Sequence, residues 1–144
     1  MKRIMVMSIM SYYARQIFDG TKGFEFRKSP LKEGDLNKEI YIYSAKDDKA
    51  FVGTFKVSEV LCGNTKEILK QTGYDKRDDG WEIVKYFGEN NSKCYALKIY
   101  DVKKFSKPVT LAELRKVNAN IRLPQYFAYI NESDPVYAKL CSAN

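Results

Sequence analysis

Apolar and polar residues recur along the chain with two periods, and these periods predict the secondary structure. The segment 2–9, rich in Ile, Met and Val, predicts a first strand. Helical spacing follows at Met10, Tyr13, Ala14, Ile17 and Phe18. Gly20 stands where the C-terminal cap of that helix belongs. The chain therefore opens with a strand that leads directly into a short amphipathic helix.

The same patterns predict the remaining elements. Strands are expected over 23–28, 40–45, 51–61, 93–105 and 125–130, and helices over 64–72, 78–87, from Thr110 and from Asp134 or Pro135. Pro108 is expected to end the long strand, and Trp81 is expected in the core. Neighbouring strands with short connections indicate an α+β fold. We expect a small mixed β-barrel with flanking helices, because closure leaves few free strand edges.

Length and composition place the chain among single globular domains, spanning residues 1–144. No stretch reaches the roughly 18 apolar residues of a membrane span. Cys62, Cys94 and Cys141 lie far apart and are odd in number. This pattern argues against a disulfide framework and favours a reducing compartment, so we expect a cytoplasmic protein.

Histidine is absent, which excludes several kinds of active site. Ser-His-Asp and Cys-His systems are impossible, and three scattered cysteines are a poor zinc cage. Catalysis would have to use Lys, acidic, Tyr or hydroxyl side chains, or a hard cation bound by carboxylates. The residues indicate neither a metal site nor a cofactor.

Positive charge is concentrated in two parts of the chain. The net charge is +7 overall, with +5 over residues 1–32, −3 over 33–92 and +6 over 93–122. Two basic segments around an acidic middle favour a polyanion as the partner, although basic residues also serve solubility.

Charged residues at the first helix–strand junction form the candidate site. Glu25 and Arg27 stand two apart on a predicted strand and therefore share a face, opposite the neighbouring phenylalanines. A regular strand would place Lys22 on the other face. A bulge at Gly23 would bring its ammonium round to the pair. Otherwise Glu25 and Arg27 are an ordinary exposed ion pair.

The sequence around this junction resembles the ASCH domain family, which is related to PUA-like domains. The likeness is carried by Met7-Ser8-Ile9, Tyr13-Ala14, Ile17-Phe18, Gly20-x-Lys22-x-x-Glu25-x-Arg27, Val109-Thr110-Leu111-x-Glu113-Leu114-Arg115 and Pro124-Gln125-x-Phe127-x-Tyr129. It spans nearly the whole chain. The resemblance implies a PUA-like barrel with a cleft lined by the motif residues, and binding of RNA or other nucleic acid.

The resemblance also implies two enzymatic possibilities. One branch of the family hydrolyses an acetylated cytidine nucleoside and carries Gly-x-Lys-x-x-Thr-x-Arg, with the Lys and the Thr catalytic. Lys22 matches that Lys, whereas Glu25 stands in place of the Thr. Ribonuclease activity is attributed to other relatives. Lys22, and with it Glu25, would be catalytic only in these cases.

The expected ligand contacts follow from side-chain chemistry. Arg27 suits a bidentate phosphate or base contact, Lys22 a phosphate, and Glu25 would orient both cations or bind a base amino group. Tyr43 and Tyr126, like Tyr41 and Tyr129, are candidate stacking platforms, and Gln125 a candidate amide contact.

Three functions stay open from the sequence. The first is binding of RNA or an exposed nucleotide in a basic cleft. The second is hydrolysis of a modified nucleoside or of RNA, and the third is a regulatory module that binds another protein. The sequence fixes neither the choice of RNA over DNA nor the oligomeric state.

Overall fold

The structure, a computed structural model, describes residues 2–144 and contains six strands and five α-helices within them. The strands are β1 (Arg3–Met10), β2 (Phe24–Arg27), β3 (Ile40–Ala45), β4 (Ala50–Gly63), β5 (Cys94–Thr110) and β6 (Phe127–Asn131). The helices are α1 (Ser11–Asp19), α2 (Thr65–Thr72), α3 (Gly80–Phe87), α4 (Leu111–Val117) and α5 (Pro135–Cys141). No helix within 2–144 has the length and apolar character needed to cross a membrane.

The six strands form one mixed sheet in the order β2-β5-β4-β3-β1-β6. β1 pairs with β3 in parallel, whereas β1–β6, β3–β4 and β2–β5 are antiparallel. The α+β class is confirmed, and the closed barrel is wrong, since no ladder in residues 2–144 joins the end strands β2 and β6. Closure needs end strands that pair along their length. These have four and five residues, and short edge strands limit the exposed edge without closure.

The chain divides into two compact units. The first unit comprises residues 2–22, 39–56 and 101–144. Its core is built from alternate residues of the strands and from the inner faces of α4 and α5, with members Val6, Tyr41, Tyr43, Phe51, Phe105, Val109, Leu114, Val136 and Leu140. Burial of these apolar side chains is the main stabilising term.

The second unit comprises residues 23–38 and 57–100. Its core joins β2 to the inner faces of α2 and α3, with members Phe26, Ile68, Tyr74, Ile83, Phe87, Cys94 and Ala96. The ring of Phe26 meets Tyr74 edge to face at a centroid distance of 4.9 Å. Trp81 lies on the outer side of α3 and is 62% exposed, so its predicted place in the core is wrong.

Helix starts were predicted well, but the end of β5 was not. Asn64 with Glu67, and Thr110 with Glu113, form complete capping boxes at α2 and α4. β5 continues through Pro108 to Thr110. Proline lacks only the N–H donor and is tolerated where a strand needs no bond from that residue.

Candidate nucleic-acid interface

The turn after α1 holds Lys22 in a defined position. Gly20 caps the helix with φ of 85°, a value that favours glycine, and donates its N–H to the carbonyl of Ile17 at 3.3 Å. The Thr21 hydroxyl and backbone N–H both donate to Asp19 Oδ1, at 2.7 and 2.9 Å. These bonds hold the pKa of the Asp19 carboxyl below its usual value.

Lys22 itself is almost fully buried, with 5% of its surface exposed. Its backbone N–H donates to the carbonyl of Gln16 at 3.1 Å. Its Nζ atom lies 4.9 Å from the centroid of the Tyr13 ring, a cation–π distance. A buried ammonium on an aromatic face is unlike the solvated lysines of an ordinary surface.

In the second unit, β2 presents Glu25 and Arg27 as an ion pair. Arg27 Nη2 lies 3.2 Å from Glu25 Oε2, and the two side chains are 14% and 6% exposed. The interpretation of these residues as an ordinary exposed pair is therefore wrong. The register from Phe24 opposite Lys98 to Arg27 opposite Tyr95 continues to Gly23, whose carbonyl accepts from the N–H of Ile99. The hypothesis of a bulge at Gly23 is therefore wrong as well.

A cavity of about 630 Å³ opens in the first unit beside β3 and α4. Its polar lining combines two guanidinium groups, two hydroxyls and an amide, and apolar side chains complete its walls. The residues are Ser8, Tyr43, Ala45, Leu111, Arg115, Ile121, Arg122, Leu123, Pro124 and Gln125. Two cations beside hydrogen-bonding groups and apolar walls suit a ligand with both a phosphate and a flat apolar body.

Tyr43 is one of the buried residues of this cavity. Its ring centroid lies 5.3 Å from that of Phe51 in the core, and 6% of the residue is exposed. Burial raises the pKa of the Tyr43 hydroxyl above its usual value, and the positive charge of Arg115 opposes that rise. The hydroxyl therefore stays protonated near neutral pH and is a competent hydrogen-bond donor.

Pro124 and Gln125 form another wall of the cavity, and the segment 124–126 is attached to β1 at Ser8. The Ser8 hydroxyl donates to the Pro124 carbonyl at 2.7 Å, and the Ser8 N–H donates to the Tyr126 carbonyl at 2.9 Å. Gln125, between these two bonds, lines the cavity. Tyr126 follows outside the lining, with its ring 6.1 Å from that of Phe127.

The predicted site residues thus occupy distinct surroundings within each unit. Tyr43 and Gln125 line one cavity. Lys22 lies against Tyr13. Tyr126 is outside the cavity lining. Arg115, Arg122 and Ser8 were not predicted as site residues. Ser8 and Arg115 belong to the segments that carry the family resemblance, but that resemblance gave them no ligand contact. Arg122 was distinguished only by the +6 charge of 93–122. Within residues 2–144, no group of three or more Cys, Asp or Glu side chains is placed to hold a metal ion.

A second cavity of the first unit, about 640 Å³, contains none of the predicted site residues. It lies between α1, β4 and the end of β5 and is bordered by the ion pair of Arg15 and Asp48 at 3.3 Å. Asp48 is in turn held by Ser44, whose Oγ lies 2.7 Å from Asp48 Oδ2. Its polar rim is largely paired within the chain, which makes it a weaker candidate than the cavity beside Tyr43.

The chain is similar in structure to solved ASCH proteins and, less closely, to human THYN1. The ASCH protein from Zymomonas mobilis superposes with a TM-score of 0.80 at 24% identity, over 96% of this chain and 93% of that one. A single-residue variant of the same protein gives 0.81 at 23% identity, over 98% of each chain. Human THYN1, solved in complex with DNA containing 5-methylcytosine, gives 0.59 at 11% identity, over 99% and 98%.

Sequence comparison alone finds less. No protein-family model matches the chain, and no curated protein matches it closely enough to be a relative. Identities below 25% bear on the fold and not on the activity. Structure neighbours with TM-scores near 0.8 are ASCH proteins, so the resemblance predicted from the motif at residues 20–27 is confirmed at the level of the fold: the chain folds as an ASCH domain.

Proposed function

We propose that the chain binds nucleic acid, RNA in particular, and accepts one exposed nucleotide in the cavity beside Tyr43. The observation that carries the proposal is the convergence of Arg115, Arg122, the Tyr43 hydroxyl and the Gln125 amide on one cavity. Its volume of about 630 Å³ falls within the range of small-molecule sites.

Each part of the lining has a matching part in a nucleotide. The guanidinium groups of Arg115 and Arg122 suit bidentate contacts with phosphate oxygens. The amide of Gln125 suits the paired donor and acceptor of a base edge, as in adenine. The apolar side chains of Leu111 and Leu123 provide contact area for the base, and the Tyr43 hydroxyl is a further donor.

A concave site favours a base that is free of its stack. Bases of a duplex are stacked and paired, whereas those of single strands and loops are accessible to pockets. The net charge of +7 supports attraction to a polyanion. That human THYN1, which shares the fold, was solved with DNA supports nucleic acid as the ligand class.

We extend the proposal to the motif residues. Arg27 is held by Glu25 at 3.2 Å, and a guanidinium fixed in this way is ready for a phosphate or base edge. Lys22 provides a further cation, and Tyr126 a ring for stacking. In this proposal Glu25 positions Arg27 and does not touch the ligand.

Fluorescence anisotropy with labelled oligonucleotides tests the proposal. Single-stranded RNA is expected to bind best, single-stranded DNA more weakly, and duplex DNA with or without 5-methylcytosine weakest. Affinity should fall as salt rises, because cationic side chains displace counterions from phosphate. Arg115→Gln should lower the slope of log affinity against log salt by roughly 0.7. Lys116→Gln, next to it on α4 and outside the cavity, is the control.

The results that contradict the proposal are equally specific. Binding that does not change between low and physiological salt would exclude phosphate contacts. Equal effects of Arg115→Gln and Lys116→Gln would show that only the general charge of α4 matters. Preference for duplex DNA would retain nucleic-acid binding and exclude the exposed nucleotide.

Hydrolysis of a modified nucleoside or of RNA, with Lys22 as the catalytic group, is the second candidate. The burial of Lys22 to 5% against Tyr13 favours it, since a lysine kept only for solubility would lie in solvent. Incubation with acylated nucleosides and with RNA, followed by chromatography, is the test. Products that disappear in a folded Lys22→Ala variant would establish it, and absence of product from every substrate would exclude it.

A further inference from the structure

Tyr86 on α3 is a half-exposed aromatic residue that the fold holds in place. Its neighbours Ile83 and Phe87 are buried in the core of the second unit, whereas Tyr86 is 41% exposed. Its ring centroid lies 5.0 Å from that of the buried Phe87. The ring is therefore accessible and also in contact with a core residue, which limits the entropy lost when a ligand packs on it.

A positive charge lies over this ring. The Lys28 ammonium lies 5.0 Å from its centroid. Burial raises the pKa of the Tyr86 hydroxyl, and the charges of Arg27 and Glu25 act on it in opposite directions. Because Arg27 and Glu25 neutralise each other at 3.2 Å, exposed Lys28 contributes the excess charge.

We infer that Tyr86 and Lys28 form a contact for single-stranded nucleic acid, in which a base stacks on the Tyr86 ring and a phosphate meets the Lys28 ammonium. The inference rests on the proposed function and names residues that the ASCH motif does not include. An aromatic face beside a cation is the combination that single-strand-binding proteins use without reading the sequence. Charge complementarity selects a polyanion over an apolar protein surface.

Trp81 provides a matched comparison on the same helix. It is more exposed than Tyr86, at 62%, but five residues away it points about 140° round the helix axis. Asp78 and Asp79 directly precede its helix, and their carboxylates repel phosphate. If any exposed aromatic residue sufficed, Trp81 would serve as well as Tyr86. The inference assigns the contact to Tyr86 alone.

The test measures binding of a labelled single-stranded RNA by anisotropy at several salt concentrations. Tyr86→Ala is expected to weaken binding by roughly fivefold to a hundredfold, the range that loss of one stacked base gives. Tyr86→Phe keeps the ring and should stay within about twofold of wild type, and so should Trp81→Ala. Lys28→Gln should lower the salt slope by roughly 0.7, as for one phosphate contact.

The outcomes separate this inference from the proposed function. If Arg115→Gln weakens binding while Tyr86→Ala leaves it unchanged, the nucleotide cavity stands and the Tyr86 contact is overturned. An equal loss from Trp81→Ala would also overturn it. A wild-type chain that binds no oligonucleotide would overturn both. Circular dichroism of Tyr86→Ala, compared with folded Tyr86→Phe, shows whether lost binding reflects a lost fold.

Discussion

Arg27 Nη2 and Glu25 Oε2 meet at 3.2 Å on side chains of which only 14% and 6% are exposed. Such a pair differs from a surface salt bridge, because each charge has given up most of its hydration and depends on the other. The motif Gly-x-Lys-x-x-Glu-x-Arg therefore has a structural requirement besides its proposed ligand contacts. Substitutions in it should affect stability as well as binding.

Replacement of Glu25 by alanine should destabilise the fold strongly. It removes the carboxylate that Arg27 contacts and leaves a poorly solvated guanidinium, for which the expected loss is about 3 kcal/mol of unfolding free energy. Urea denaturation followed by circular dichroism measures it. Glu59→Ala breaks a pair with Lys98 at 3.8 Å whose side chains are more than half exposed, and should cost less than about 0.5 kcal/mol. Similar losses in the two variants would contradict the account.

Gly53 on β4 is expected to tolerate no side chain. A Cβ there would overlap the carbonyl oxygen of Lys103 and lie 2.7 Å from the ring of Phe18. Since the backbone oxygen cannot move aside, Gly53→Ala should cost about 3 kcal/mol and lower Tm by about 10 °C. Differential scanning calorimetry measures this shift. Gly34→Ala, with no heavy atom within 4 Å of the new Cβ, should leave Tm nearly unchanged. An unchanged Tm in Gly53→Ala would refute the close approach.

The hydroxyl of Tyr43 should contribute to binding and little to stability. Tyr43→Phe keeps the ring against Phe51 and removes the donor from the cavity, so affinity for single-stranded RNA should fall about fivefold to tenfold, as for one hydrogen bond. Tyr41→Phe is the matched control, because Tyr41 shares the strand and the core cluster but does not line the cavity. Isothermal titration calorimetry distinguishes them, and equal affinities would exclude the hydroxyl as a contact.

Tyr41 should make the stability of the protein depend on alkaline pH. Burial raises its pKa to about 12, against an ordinary value near 10, although a hydrogen bond with Asn144 opposes the rise. The folded state holds the proton more tightly, so this stabilisation is complete below pH 10 and is lost as pH rises through 12. The loss is on the order of 2 kcal/mol.

The comparison with Tyr41→Phe isolates this effect from the other titrating groups. Urea midpoints are measured for both proteins between pH 9 and 12. As pH rises across this range, the urea midpoint of wild type should fall steadily relative to that of Tyr41→Phe. A constant difference would mean that Tyr41 titrates alike in the folded and unfolded states.

Local signals predicted the helix termini and most strands. Gly20, Asn64 and Thr110 act through bonds to residues within four positions, and such bonds are visible in sequence spacing. Pro108 was misleading because proline, which has no N–H, ends a strand only where the neighbouring strand requires a hydrogen bond from that position. That need is set by distant residues. Trp81 was misplaced because its helix offers two apolar stretches, and only the packing of Ile83 and Phe87 decides between them.

The candidate site was predicted only in part, for a related reason. Glu25 and Arg27 share a face through the period of a strand, which sequence spacing reveals. Tyr43, Arg115 and Gln125 come from parts of the chain up to 82 residues apart and meet through tertiary folding. No local pattern could show that Arg115 faces the cavity while Lys116 does not. Closure of the sheet into a barrel likewise depends on the lengths of β2 and β6, the two end strands of the sheet.

The two bonds that Ser8 makes, to the carbonyls on either side of Gln125, have a consequence for the energetics of recognition. Because hydrogen bonds hold this wall on both sides of Gln125, it is ordered before a nucleotide binds. Binding therefore does not require a loop to become ordered. Calorimetry should then show only the decrease in heat capacity that comes from burying apolar surface between the nucleotide and the cavity. The additional decrease that accompanies coupled folding should be absent. Ser8→Ala would loosen the wall, and the additional decrease should then appear.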